Sequence, residues 1–234
     1  MTILILGGTG EAHQISASLG ADAVVSLAHQ IEGRSYASAV RRGGFGGEQA
    51  QIDWMSTTGI RAVIDASHPF ALQISARTAA ICGRLSLPYL RVLRPIWREV
   101  TGEVWTHVPD ARAAANEIPD DANVLLAAGA RHLAGFAGLR GKIFLRSVLP
   151  VDDHPFGNFH WINAAPGSVA DETDLMEQHA ITHLILRNSG GPRSGKLAAA
   201  HRLGIRIVMI DRPAAPATNI VETAEQAIMW SQNL

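Results

Sequence analysis

The residues with the clearest chemical potential form a glycine-rich turn near the N-terminus. The apolar run ILIL leads into Gly7, Gly8 and Thr9, and a helical pattern follows. A strand-to-helix turn without side chains lets a pyrophosphate reach the backbone N–H groups at the helix N-terminus, and Thr9 adds a hydroxyl donor. The spacing only approximates the dinucleotide fingerprint, because Ala12 takes the place of its third glycine. The sequence predicts a dinucleotide site, and the alternative is a tight turn that serves packing alone.

The end of the second predicted strand bears on which dinucleotide would bind. An acidic residue at that point hydrogen-bonds the ribose of NAD. Here the strand ends at Ser26 and Leu27, no acid follows in the expected place, and Arg34, Arg41 and Arg42 lie downstream. Hydroxyl and guanidinium groups suit the 2′-phosphate of NADP. The sequence therefore favours NADP and leaves NAD open.

A second polar turn, residues 65–69 (DASHP), follows the predicted strand RAVID. Ligands of open parallel sheets bind at the carboxyl ends of strands, so this turn is expected in the same crevice as the glycine turn. His68, next to Ser67, is the candidate proton donor, or a hydrogen-bonding group for a nicotinamide amide or a substrate carboxylate. The alternative is a histidine satisfied locally beside a helix start. Asp65 is expected to orient the turn rather than to take part in chemistry.

Apolar strands alternate with helices along the whole chain. This rhythm indicates parallel sheets covered on both faces, and a shift in composition at residues 94–102 indicates a domain boundary. Predicted strands cover residues 2–6, 23–27, 38–41, 61–65, 89–92, 104–107, 123–127, 143–146, 183–187 and 205–210; predicted helices cover 11–19, 48–57, 69–84, 110–117, 131–136, 169–179, 196–203 and 221–233; residues 151–166 are expected to form a loop.

Composition excludes several classes of function. The formal net charge is −1 and no basic block occurs, so neither nucleic acid nor an anionic membrane surface is an expected partner. No apolar stretch approaches the length of a membrane span and the N-terminus lacks a signal pattern, which predicts a cytoplasmic protein. Lys142 and Lys196 are the only lysines among 20 basic residues. Arginine forks match carboxylates and phosphates, although a coding bias would explain the excess equally well.

Cysteine and histidine usage gives no sign of a metal centre or a nucleophile. The single cysteine, Cys82, lies in an apolar helical pattern and is expected in the core. The densest histidine stretch, residues 152–160, lacks metal-ligand spacing, so no metal is predicted. Neither tyrosine is followed by lysine four positions on, which argues against the extended short-chain oxidoreductases.

Six segments in a fixed order carry a family resemblance: ILILGGTGEA, VRRGGFGG, IDASHPFALQIS, LLAAGARHLAGF, RSVLP and LRNSGGPRSGKLAAAHRLGIRIVMIDRP. Together they resemble the precorrin-6A reductase family of cobalamin biosynthesis over almost the whole chain. The resemblance implies reduction of one double bond of the macrocycle precorrin-6A to give precorrin-6B, with NADPH or, in some lineages, NADH. It also implies an α/β fold of two Rossmann-like domains with parallel sheets and an inter-domain cleft. Residues 1–97 would bind NAD(P)H and residues 98–234 the tetrapyrrole.

The resemblance also implies which residues bind. Cofactor contacts are expected in three segments: Gly7, Gly8, Thr9 and Glu11; Gly44, Phe45, Gly46 and Gly47; and Ser67, His68, Pro69 and Phe70. The positions of the strand ends add Ser26 and Arg42. The acetate and propionate arms of the substrate call for cations and N–H donors, and the candidates are Arg131, Arg146, Arg187, Asn188, Ser189, Gly190, Gly191, Arg193, Lys196 and Arg212. Two departures concern the substrate periphery: Arg187 stands where the family often has Lys, and Ala165-Pro166-Gly167 replaces Gly-Pro-Phe.

Three alternatives remain open at this point. The first alternative is that the chain is a cobalt-precorrin-6A reductase of the anaerobic route, whose substrate carries cobalt. The chain would otherwise be another NAD(P)-dependent Rossmann oxidoreductase, or a non-catalytic NADP sensor. The protein is expected to be a monomer or a weak homo-oligomer.

Overall fold

The computed structural model describes residues 2–28, 35–129, 133–147, 151, 153–215 and 218–234. The chain forms two compact units, one made of Met1–Pro95 with Pro213–Leu234 and the other of Ile96–Arg212. In chain order the elements are β1 (Thr2–Leu6), α1 (Gly10–Leu19), β2 (Ala23–Leu27), β3 (Ala39–Arg42), α2 (Glu48–Thr57), β4 (Ile60–Asp65), α3 (Leu72–Leu85), β5 (Tyr89–Val92), β6 (Trp105–Val108), α4 (Ala111–Asn116), β7 (Asn123–Ala127), β8 (Lys142–Arg146), β9 (Phe159–Ile162), α5 (Val169–Gln178), β10 (His183–Arg187), α6 (Gly195–Leu203), β11 (Arg206–Ile210), β12 (Asn219–Val221) and α7 (Ala224–Ser231).

The first unit contains a parallel sheet of order β12-β5-β4-β1-β2-β3. The chain winds outward from β1 to β3, then returns to β4 beside β1 and winds the other way. This is the order of a doubly wound dinucleotide-binding sheet, and the reversal between β1 and β4 is its switch point. Residues of β1 alternate between the two faces, because successive side chains of a strand point in opposite directions.

Both faces of this sheet are covered by helices. Ile3 and Ile5 pack with α1 and α7 on one side, whereas Leu4 and Leu6 pack with α2 and α3 on the other. A strand that is buried on both faces must be apolar throughout, which explains the uninterrupted run ILIL.

The second unit repeats the architecture with the order β6-β11-β10-β7-β8-β9, again with parallel pairs. Its switch point lies between β7 and β10. Its core includes Leu125, Leu184 and Met209 from the strands and Leu197 and Ala200 from α6. The prediction of an α/β protein with two parallel sheets is confirmed.

The two units exchange their outermost strands. After β5 the chain enters the second unit as β6, which pairs with β11. After β11 it returns to the first unit as β12, which pairs with β5. The outer strand β6 of the second sheet therefore follows β5 of the first sheet in the chain, and the outer strand β12 of the first sheet follows β11 of the second. The assignment of residues 98–234 to a second domain was wrong for residues 213–234, because β12 and α7 pack in the first unit.

Four further expectations need correction. The region expected as a loop, residues 151–166, contains β9, a four-residue edge strand whose short pattern is masked by flanking prolines. Helix α3 begins at Leu72 rather than at Pro69, because Ala71 N–H donates to His68 O (2.8 Å) and closes a separate turn. The C-terminal helix covers Ala224–Ser231, since residues 219–221 form β12. Of the predicted helix 131–136, the described part is a 3₁₀ turn at Leu133–Phe136.

No helix in the described ranges is long and apolar enough to cross a membrane.

The placement of α7 yields a stability prediction. Ala227 is fully buried in the core of the first unit, whereas Met229 on the same helix is 57% exposed. We expect Ala227→Asp to lower the free energy of unfolding by about 3 kcal/mol or more, because it buries an unpaired carboxylate. Met229→Asp, the matched control, should change it by less than about 1 kcal/mol. Urea denaturation measures both, and equal losses would contradict the packing of α7 against β1 and α1.

Candidate functional site

The glycine turn after β1 is shaped by two glycines that no other residue would replace. Gly7 N–H donates to Ser26 O (2.9 Å). A Cβ atom at Gly7 would lie 2.7 Å from Val25 Cγ1, so the adjacent strand leaves no room for a side chain. Gly8 has a φ of +115°, a conformation that residues with a Cβ atom avoid. The backbone of this turn is therefore bare where the helix begins.

Thr9 joins this turn to the one that follows β4. Its hydroxyl accepts from Ala12 N–H (3.2 Å) as the N-cap of α1 and donates to Ala66 O (2.7 Å). Glu11, in the first turn of α1, forms an ion pair with Arg94 (3.4 Å), which offsets its negative charge beside the helix start. Four of the predicted cofactor residues of the two turns line one depression, whereas Gly7, Gly8, His68 and Phe70 are not part of its lining. The depression is formed by Thr9, Glu11, Ala66, Ser67, Pro69, Val92 and Arg94.

The loop after β3 is organised by Arg41. Its guanidinium donates to Gly43 O (2.5 Å) and Gly44 O (2.8 Å), and its carbon atom Cζ lies 3.8 Å above the Phe45 ring. The predicted residues Gly44–Gly47 are thus tied to the strand end by the neighbouring arginine. Arg42 is exposed and lies in register with Leu27 at the end of β2, one residue beyond the buried Ser26. The sequence placed Arg34 nearby as well, but that residue lies outside the described ranges.

A buried network of charges holds the turn after β4. Asp65 is fully buried and accepts from Ser67 N–H (3.0 Å) and from the Tyr89 hydroxyl (2.6 Å). Arg91, only 1% exposed, forms an ion pair with Asp65 through Nη1. The same nitrogen donates to Ser67 Oγ (3.2 Å) and to Ser75 Oγ, and Nη2 donates to His68 O (3.4 Å). The expectation that Asp65 orients the turn is confirmed.

Sequence reasoning missed Arg91. It interrupts the otherwise apolar strand β5, which reads YLRV. A charged residue inside a buried parallel strand requires an opposite charge, and a carboxylate at the carboxyl end of a neighbouring strand supplies one. Asp65 and Arg91 are register partners on adjacent strands. An arginine in a core strand was therefore the signal that would have found this network.

The His68 ring is oriented by its own turn. Its Nδ1 atom accepts from Phe70 N–H (3.3 Å), so in this arrangement the neutral ring carries its proton on Nε2. Arg91 Nη2 also donates to the His68 carbonyl. Backbone and ring are thus both held by hydrogen bonds.

In the second unit, the turn after β10 is bound to the segment that enters the unit. The Asn188 side chain accepts from Trp97 N–H (2.8 Å) and donates to Trp97 O (3.0 Å), and it is 2% exposed. Trp97 Nε1 donates to Gly191 O (3.0 Å). Arg212 donates to Asn188 O (3.4 Å) and Ser189 O (3.0 Å). Both segments that connect the units, the one at Trp97 and the one at Arg212, are thus fastened to this turn.

A second group of predicted residues meets at the starts of α5 and α6. Arg146, at the end of β8, forms an ion pair with the buried Glu172 (2.7 Å), which also accepts from Gly167 N–H (3.0 Å). Burial lowers the pKa of Lys196, the charge of Arg146 lowers it further, and Glu172 opposes the effect. Sequence reasoning did not single out Glu172, which is 1% exposed.

The remaining predicted arginines differ in environment. Burial lowers the pKa of Arg187, whose guanidinium reaches over Gly129 at the end of β7. Arg193 forms an ion pair with the buried side chain of Glu103. Arg131 lies outside the described residues. Within the described part of the chain, no three His, Cys, Asp or Glu side chains are grouped so as to hold a metal ion.

Cys82 lies 1% exposed in the core beneath the first site, as expected. Burial raises the pKa of its thiol to about 12, and the charge of Asp65 adds to the effect. An unfolded thiol loses its proton near pH 8.5. The folded state therefore keeps this contribution to stability below about pH 8.5 and loses it as the pH rises towards 12.

This burial predicts an unreactive thiol. At pH 8 the native protein should react at least about a hundredfold more slowly with a disulfide reagent than a free thiol, and one equivalent should react after denaturation in guanidinium. A Ser18→Cys variant, exposed on α1, should label at once in the native state. Rapid native labelling without that substitution would contradict the packing of α3.

Two doubly wound parallel sheets, the first with two polar turns at its switch point, define a Rossmann-like α/β protein. A family model described as precorrin-6x reductase CbiJ/CobK matches residues 2–232. The chain is 39% identical to precorrin-6A reductase of Rhodococcus erythropolis, over 97% of this chain and 96% of that one. It is 38% identical to precorrin-6A reductase of Rhodobacter capsulatus, over 97% and 94%.

A solved structure of CobK precorrin-6A reductase is similar throughout, with a TM-score of 0.92 and 36% identity over 100% of this chain and 96% of that one. The chain belongs to the precorrin-6x reductase family, whose members are oxidoreductases. The resemblance drawn from the six sequence segments is confirmed.

Proposed function

We propose that this chain reduces precorrin-6A to precorrin-6B with NADPH, as a step of cobalamin biosynthesis. The observation that carries the proposal is the family match over residues 2–232. The first unit is proposed to bind the cofactor and the second the tetrapyrrole. An enzyme that draws on NADPH for biosynthesis is suited to the cytoplasm, which is the location we propose.

The first unit fits a dinucleotide by several independent features. The first turn of a helix leaves N–H groups without partners inside the helix, and Thr9 uses only that of Ala12. Gly7 and Gly8 leave the approach to this turn open. A pyrophosphate at this position would meet N–H donors and the positive end of the helix dipole. The polar turn with Ser67 and His68 lies across the switch point from it, within reach of the rest of a dinucleotide.

The preference for NADPH is supported by the strand ends. Leu27 closes β2 where NAD enzymes place an acid, and the exposed Arg42 stands beside it in register. Arg41 is committed to the loop carbonyls and to Phe45, so Arg42 is the better partner for a 2′-phosphate.

The proposed chemistry asks the protein mainly to bind and to orient. When bound, the reduced nicotinamide supplies the hydride. His68 is proposed to donate a hydrogen bond or a proton from Nε2, the atom that carries the proton of the neutral ring. The buried Asp65–Arg91 pair holds that turn in place, so the donor need not be reorganised when ligands bind.

The second unit supplies cations for a substrate rich in carboxylates. Arg146 and Lys196 with Glu172 carry a net charge of about +1, and Arg187 adds a partly buried guanidinium. Partial burial strengthens a charge pair with a carboxylate arm. The Asn188 side chain is buried and binds the Trp97 backbone through both its oxygen and its nitrogen, so its proposed role is to shape the turn rather than to touch the substrate.

The reaction is tested by anaerobic oxidation of NADPH with metal-free precorrin-6A. We expect the near-ultraviolet absorbance of NADPH to fall only when the macrocycle is present. The cobalt-bearing macrocycle and NADH are the comparison arms. Oxidation with neither macrocycle, despite tight cofactor binding, would overturn the proposed function and favour a cofactor sensor.

The cofactor preference is tested at Arg42. Arg42→Ala should raise the KM for NADPH about tenfold and leave that for NADH within about twofold, because one exposed charge pair with the 2′-phosphate is lost. Arg61→Ala, an exposed arginine of β4, is the matched control and should change neither value. Equal changes for both cofactors would contradict a 2′-phosphate contact.

A further inference from the structure

The buried network beneath the first site determines which hydroxyl has a proton to give. Arg91 Nη1 shares its two N–H groups among three acceptors, namely Asp65, Ser75 Oγ and, over 3.2 Å, Ser67 Oγ. Both hydroxyl oxygens are thereby acceptors from a cation. A hydroxyl has one proton, and an oxygen that accepts from a guanidinium can still donate that proton elsewhere.

Ser75 already has a use for its proton. Its hydroxyl donates to Ala71 O (3.1 Å), the carbonyl one turn earlier at the start of α3. The remaining contact, between Ser67 Oγ and Ser75 Oγ, is long at 3.4 Å. With the proton of Ser75 occupied, the proton of Ser67 has only this weak partner within the network.

Ser67 is also the member of the network that reaches the surface of the site. It is 6% exposed and lines the depression shared with Thr9 and Glu11, whereas Ser75 is fully buried. Its N–H is fixed by Asp65 and the next carbonyl, that of His68, by Arg91. The backbone on both sides of the Ser67 side chain is thus held by hydrogen bonds, and a hydroxyl fixed in this way, with its proton uncommitted in the network, is a preorganised donor.

The sheet order indicates which part of a dinucleotide would lie there. The ribose-binding position of such sheets is at the end of β2, so the adenosine half lies over β2 and β3. A pyrophosphate at the start of α1 then leaves the nicotinamide half on the other side of the switch point, over β4 and β5. Ser67 follows β4 directly.

We propose that Arg91 is a positioning residue that fixes Ser67 as a hydrogen-bond donor to the carboxamide oxygen of the nicotinamide. This rests on the proposed use of a nicotinamide cofactor. The role of Arg91 is to bind one lone pair of Ser67 Oγ and the backbone beside it, so that the hydroxyl is held with its proton turned away from the guanidinium and available to the ligand.

The direction of this bond is tested by calorimetric binding of NADP⁺ and two analogues to the full chain. The thionicotinamide analogue has a weaker acceptor, sulfur, in place of the oxygen; the 3-acetylpyridine analogue keeps the oxygen and lacks the amino group. Ser67→Ala should raise the Kd about fivefold for NADP⁺ and for the acetylpyridine analogue, but less than about twofold for the thio analogue. The opposite pattern, or no change with any ligand, would overturn the proposal.

The role of Arg91 is tested by a double-mutant cycle. Arg91→Lys keeps a positive charge beside Asp65 but lacks the fork that reaches Ser67 and His68 O. It should raise the Kd for NADP⁺ about fivefold, and Ser67→Ala/Arg91→Lys should lose no more than either single variant. Additive losses would show that Arg91 does not act through Ser67 and would overturn the proposal. Ser67→Thr, which keeps the hydroxyl, should restore the Kd.

A ligand without nicotinamide separates this role from a general effect on the fold. Adenosine 2′,5′-bisphosphate should bind all four variants as it binds the unchanged chain, and weaker binding would overturn the proposal. Should Arg91→Lys fail to fold, the analogue series with Ser67→Ala still decides the direction of the bond. The proposed reaction is judged separately, by NADPH oxidation with the unchanged chain.

Discussion

The ion pair between Asp65 and Arg91 is the constraint on which the first site depends. Both side chains are removed from water, so neither charge would be tolerated alone; deleting one partner of such a pair costs about 3–5 kcal/mol. Once paired, they have donors and acceptors left over. These reach the N–H and hydroxyl of Ser67, the carbonyl of His68 and the Tyr89 hydroxyl, whose pKa is raised by burial and by the charge of Asp65. The buried ion pair thereby fixes the geometry of the turn that follows β4.

The second unit also fixes a turn with a buried polar side chain, and there the turn holds the segments that connect the two units. Asn188, buried at the end of β10, binds the backbone of Trp97 through both its side-chain oxygen and its side-chain nitrogen. Arg212 reaches the carbonyls of the same turn as the chain leaves the unit. Asn188, which the family resemblance places among the substrate-binding candidates, thus stabilises the turn after β10 in this fold. The other predicted cations of this unit include Arg146, which pairs with Glu172, together with Lys196 and Arg187.

Much of this could be predicted from local sequence, because the signals were local. Runs such as ILIL and NVLLA are long and apolar enough to identify buried parallel strands, and the glycine turn after the first is recognisable from its neighbours. Arg91 was missed because its partner lies 26 residues away. The strand β12 was missed because it has only three residues and pairs with β5, more than 120 residues earlier. The local residue pattern does not show which distant segments pair, and this becomes visible only in the folded sheet.

The strand exchange also has a consequence for how the protein is made. Residues 1–95 emerge from the ribosome before residues 213–234, and their sheet lacks its outer strand until this later segment follows. At ordinary rates of synthesis, the intervening 96–212 segment takes roughly ten seconds to produce. During that time β5 is an open edge with unpaired backbone groups, the kind of template on which nascent chains aggregate. Folding of the first unit is therefore completed only after residues 213–234 have been translated, and a product that stops before them would carry an incomplete sheet.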